Sequence, residues 1–108
     1  MGRVETPFQR KLISELRNLF PGCVILKNDA NYLQGVPDLA IFWHEKYAML
    51  ECKASVDAIH QPNQDDYVDL FHSWSFAAFV YPQNKDQVLS ELQQAFGSRR
   101  TARVSKRV

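Results

Sequence analysis

The chain has 108 residues, 45% hydrophobic and 23% charged, which suits one ordinary globular domain and excludes disordered and collagen-like chains. Two cysteines are too few for a disulfide framework or a zinc site, and the longest apolar run, Phe76 to Tyr81, is too short to cross a membrane. The formal net charge of +1 hides an asymmetry: residues 1–97 carry eight Lys and Arg against twelve Asp and Glu, a balance of −4, while residues 98–108 carry five basic residues and no acid.

Met1 to Glu5 has neither the apolar core of a signal peptide nor a convincing lipidation pattern. Cys23 and Cys52 sit in apolar surroundings and read as buried reduced thiols, so a cytoplasmic protein is expected. The first helix is expected over 7–20. Thr6 can cap it, Pro7 suits the first helical position, and Phe8, Leu12, Leu16 and Leu19 recur at helical spacing before Pro21-Gly22. Residues 23–26 form a short β-rich run, and Asn28 to Gly35 a polar loop. Leu39 to Trp43 and Tyr47 to Lys53 are the arms of a hairpin turned at 44–46; both are apolar on two faces, as in a sheet covered on both sides. A second helix is expected from 63 or 64 to 73, with Tyr67, Val68, Leu70 and Phe71 inward. A strand follows over 76–81, and a last helix over 85–96 with Val88, Leu89, Leu92 and Phe96 inward and Gly97 as its stop. The expected architecture is α/β, in the order α-β-β-β-α-β-α, with a mixed central sheet flanked by helices.

The hairpin carries charge where a core is expected. Asp38 stands at the mouth of its first strand, and Glu51 and Lys53 share one face at the end of the second, with Cys52 on the other. Antiparallel pairing brings all three charges together. Two neighbouring carboxylates repel and lose hydration, which a hard divalent cation such as Mg²⁺ relieves. A plain ion pair between Lys53 and Asp38 or Glu51 accounts for the same residues. Continued helical geometry back to position 5 would set Glu5 in the middle of the apolar stripe, as a third carboxylate aimed at the core, with Glu15 at the stripe's edge.

These residues resemble the PD-(D/E)xK nuclease superfamily: Pro37-Asp38, then Glu51-Cys52-Lys53, in a matching element order. Within it, the chain is similar to the small stand-alone VRR-NUC nucleases of phages and bacteria, which are akin to resolvases of branched DNA. Glu5 and Gln9 match a Glu and Gln four apart at the first helix, Gly35 a Gly before the Pro-Asp pair, and Pro62-Asn63-Gln64 a Pro-x-Gln that follows. The chain departs from the pattern at Cys52, where an apolar residue is usual, and at Ser73-Trp74-Ser75, where a Gly is common.

The resemblance covers residues 5–96 and implies a restriction-endonuclease-like nuclease domain over 1–97, followed by a basic tail over 98–108. It implies a DNA endonuclease in which Asp38, Glu51 and the Cys52 backbone carbonyl hold Mg²⁺ or Mn²⁺, with Glu5 binding directly or through water. Lys53 would orient or deprotonate the attacking water, and Gln64 would position the lysine, a water or a phosphate. Lys27, Asn28 and Asn31, on the loop before the site, are candidate phosphate contacts. Arg99, Arg100 and Arg103 of the tail would add salt-sensitive affinity for DNA. A homodimer, held by apolar surface on the last strand or helix, and a branched DNA substrate are further expectations. The rival readings are a non-catalytic nucleic-acid-binding module on the same fold and a structural protein with an ion pair at the hairpin.

Overall fold

Thr6 decides where the chain first becomes helical. In the structure, a computed structural model that describes residues 5–98, its hydroxyl accepts the Gln9 N–H at 3.1 Å while its own backbone stays extended. Pro7 then opens α1 (Pro7–Leu19), where no amide is needed. Leu12, Ile13, Leu16 and Leu19 form its buried stripe. The chain continues through β1 (Val24–Lys27), β2 (Leu39–Trp43), β3 (Lys46–Cys52), α2 (Gln64–Trp74), β4 (Phe76–Val80) and α3 (Lys85–Phe96). This is the expected order. The hairpin turn is tighter than 44–46: Trp43 pairs with Lys46, and His44 takes a left-handed φ of 59° between them.

The four strands form one mixed sheet in the order β1-β2-β3-β4, antiparallel except for β3 with β4, which α2 connects as a crossover. Alternation gives each face its own core. Leu39, Ile41, Ala48, Leu50 and Val80 meet the stripes of α1 and α3. Ala40, Met49 and Ala77 meet Val36 and Val68 on the side of α2. A fully buried Leu or Ile is worth roughly 1.5–3 kcal/mol, so the first and larger cluster holds most of the fold's stability. Phe20 packs edge-on against both Trp43 and Phe96, which closes that cluster at the turn end of the hairpin.

Three expectations need correction. Leu70 is exposed, because it lies about 200° round α2 from the buried Val68. The sheet is not covered on both sides throughout. The helix α2 packs on β3 and β4, so Val24, Leu26 and Phe42 stay exposed on the β1 side of that face. Cys23 and Cys52 are half-buried free thiols rather than fully buried ones. Burial still pushes the Cys23 thiol up, against the opposing pull of the Arg17 charge.

Candidate functional site

The two hairpin carboxylates meet because of strand register. Leu39 pairs with Leu50, so one step further Asp38 stands opposite Glu51. Each carboxylate clasps the backbone of the other strand: the Asp38 N–H donates to Glu51 Oε1 at 3.0 Å, and the Cys52 N–H donates to Asp38 Oδ2 at 2.9 Å. Glu51 is 1% exposed and Asp38 5%. Charges so deeply buried are costly unless hydrogen-bonded, and these bonds also lock the two strand ends together.

Gln64, the first residue of α2 and 5% exposed, joins the carboxylate to the lysine. Its Nε2 donates to Glu51 Oε2 at 2.7 Å, and its Oε1 accepts from Lys53 Nζ at 2.6 Å. The Lys53 ammonium lies 3.8 Å from Glu51 Oε2 and also donates to the Ile59 carbonyl at 3.1 Å. The Gln61 N–H donates to Gln64 Oε1 at 2.8 Å, so Gln61 serves through its backbone while Gln64 supplies the side chain. Gly35 sets the approach of the preceding loop. At φ 90° it lies so close to α2's start that a Cβ there would meet Asn63 Cβ at 2.6 Å and the Pro62 carbonyl oxygen at 2.8 Å.

A cavity of about 300 Å³ opens between the N-terminus of α1 and the ends of β2 and β3; Thr6, Gln9, Asp38, Cys52 and Lys53 are among its lining residues. Glu5 is not inside the helical stripe. It precedes the cap, and its carboxylate pairs with Lys27 Nζ at 2.9 Å and Arg10 Nε at 3.7 Å. Lys27 therefore has an acidic partner. Asn28 braces the site from behind: its Nδ2 donates to the Pro37 carbonyl at 2.9 Å and its N–H to the Asp38 carbonyl at 2.7 Å. The Asn31 N–H closes a turn onto Asp29 Oδ1 at 2.8 Å. Arg99, Arg100 and Arg103 lie outside the described residues.

Two carboxylates and a strand-end carbonyl are hard oxygen donors, a set that fits Mg²⁺ or Mn²⁺ with water at the remaining positions. Among the described residues, no group of three or more His, Cys, Asp and Glu converges to hold a metal, so Glu5 does not join the pair in this arrangement. Sequence reasoning did not find the Ile59 carbonyl or the Gln61 amide. Backbone groups leave no side-chain signature, and only the folded path of 53–64 brings the first to Lys53 and the second to Gln64.

No family model and no curated protein matches the sequence. Among solved structures, a chain described as a VRR_NUC domain protein is similar with a TM-score of 0.60, over 90% of this chain and 91% of its own, at 20% sequence identity. The likeness is one of fold, and it extends over nearly the whole of both chains.

Proposed function

We propose that the protein is a metal-dependent nuclease that hydrolyses DNA phosphodiester bonds. One observation carries the reading: Asp38, Glu51, Lys53 and Gln64 form a single buried hydrogen-bonded network, with Asp38 and Lys53 lining a cavity at the sheet's end. The fold shared with a VRR_NUC domain protein supports it.

Asp38, Glu51 and the Cys52 carbonyl would hold Mg²⁺ or Mn²⁺. Such an ion supplies charge neutralisation at the phosphoryl oxygens and lowers the pKa of bound water. Lys53 is held by Gln64 and the Ile59 carbonyl, with its ammonium 3.8 Å from the Glu51 carboxylate; its N–H groups would orient the attacking water. Gln64 would keep the lysine in register with Glu51. The N-terminus of α1 at the cavity favours an anionic phosphate, and Gln9 lines the same wall. Glu5 would take part by exchanging Lys27 and Arg10 for the cation. Ion pairs as exposed as these are worth only about 0–1 kcal/mol, so the exchange is cheap. Lys27 and Arg10, once released, are free to meet phosphate.

A homodimer acting on branched DNA remains part of the proposal. Its contact would differ from the expected one: among the described residues, the exposed large apolar side chains include none from β4 or α3, and Val24, Leu26 and Phe42 gather on the sheet instead. The test is cleavage of labelled single-stranded, duplex, flap and four-way-junction DNA with Mg²⁺, Mn²⁺ or EDTA, wild type beside Lys53→Ala. Metal-dependent products lost in the variant are expected. Binding without products under any metal would replace the nuclease with a non-catalytic DNA-binding module.

A further inference from the structure

The Lys53–Gln64 pair depends on two backbone groups of one short segment. The Ile59 carbonyl accepts from Lys53, and the Gln61 N–H donates to Gln64. Both flank His60, so the backbone at residue 60 sets their spacing. The Ile59 side chain does not anchor the segment, since it is 81% exposed.

The His60 ring is fixed at two points. It stacks on Phe79, with centroids 4.1 Å apart and planes within 19°. Its Nδ1 lies 2.6 Å from Asp65 Oδ1. An ionised carboxylate only accepts, so Nδ1 carries the proton of this bond. Phe79 is the β4 register partner of Glu51, and Asp65 follows Gln64 in α2. The ring is therefore fastened to the neighbours of the two side chains that Lys53 faces.

We propose that His60, held by Asp65 and Phe79, is a positioning residue that fixes the 59–61 backbone and so clamps the Lys53 ammonium against Gln64 and Glu51. It acts through that backbone and touches no reacting atom. Its effect on rate rests on the nuclease reading; its effect on the clamp does not.

Two measurements on the full chain test this: cleavage kinetics with Mg²⁺, and NMR hydrogen exchange of the Gln61 amide together with the Gln64 side-chain amide shift. His60→Ala is expected to lower kcat by about 10- to 100-fold, the usual cost of losing a partner that orients a site residue. KM should stay within about twofold, and Gln61 exchange should rise about tenfold or more, as that amide's local opening becomes easier. His60→Phe keeps the stack and His60→Asn keeps a donor, so each should restore part of both readouts. Asp65→Ala, at an exposed position, should move both in the same direction and stands in if His60→Ala does not fold. Unchanged kcat and unchanged exchange in these variants would overturn the proposal. A change in KM alone would overturn it too, by making His60 a substrate contact, as would a loss of Tm that neither conservative variant relieves. If the wild type cleaves no DNA, the nuclease reading fails by itself, and the exchange data still decide the clamp.

Discussion

Burying a carboxylate costs several kcal/mol unless donors replace its water, and Asp38 N–H, Gln64 Nε2 and Lys53 Nζ are arranged around Glu51. Lys53→Ala removes the ammonium and takes one donor from Gln64 Oε1. Urea unfolding should show a loss of about 3 kcal/mol, the usual result of breaking a buried pair on one side. That loss is expected whether or not the protein is an enzyme, because the contact exists in either case; only the cleavage assay separates the two readings. Cys23 offers a second test. Its folded-state thiol is raised by burial, so its contribution is whole below the ordinary value of 9.0 and is lost as pH climbs through the raised one. The stability advantage of wild type over Cys23→Ala should hold at pH 7–8 and shrink above pH about 9, as followed by urea midpoints. At this scale Asp38, Glu51 and Lys53 were legible because turn and alternation leave a strand end little freedom. Gln64 was legible only through the resemblance, from the match at Pro62-Asn63-Gln64. Glu5 was not: helical spacing does not carry past the Thr6 cap, and the carboxylate turns to Lys27 and Arg10 instead.

Between elements, the site depends on two loops meeting at the start of α2. Gly35 holds the first of them against Pro62 and Asn63, and through Val36 and Pro37 fixes where Asp38 enters β2. Gly35→Ala places a Cβ 2.6–2.8 Å from atoms that include two of the backbone, at a φ of 90°. Gly22, at φ 84° with nothing within 4 Å, isolates the backbone strain from the overlap. Gly22→Ala should therefore cost about 1–2 kcal/mol. Gly35→Ala should cost about 1–3 kcal/mol more, because close-packed atoms yield poorly. Urea midpoints measure both, and only Gly35→Ala should also depress cleavage, since it pushes Asp38 away from Gln64. The element order was legible because Thr6 caps α1, Gly97 stops α3, and short apolar runs bounded by turn residues mark the strands. The face that α2 buries was less so, since its apolar residues spread round the helix and only packing on β3 and β4 selects Val68 over Leu70. The clasp between His60 and Asp65 had no sequence signal, because its partners lie on either side of a helix start.

Across the whole molecule, charge and site are separated. Residues 1–97 carry a balance of −4, which repels DNA, and the five basic residues of 98–108 supply the opposing sign. The described chain ends at Ser98, whose hydroxyl donates to the Leu19 carbonyl at the far end of α1. With 13 residues, that helix spans about 20 Å, so the tail is rooted well away from Asp38 and Lys53. Charges rooted there are expected to add affinity for DNA rather than to build the geometry that holds the lysine. Removing residues 99–108 should weaken DNA binding and reduce the slope of log affinity against log salt by up to about 4.5, since each phosphate neutralised contributes about 0.9 on duplex DNA. Cleavage at saturating DNA should stay near the wild-type rate. A fall in that rate, with affinity unchanged, would mean that tail residues enter the site itself, and the carboxylate network would then be incomplete without them.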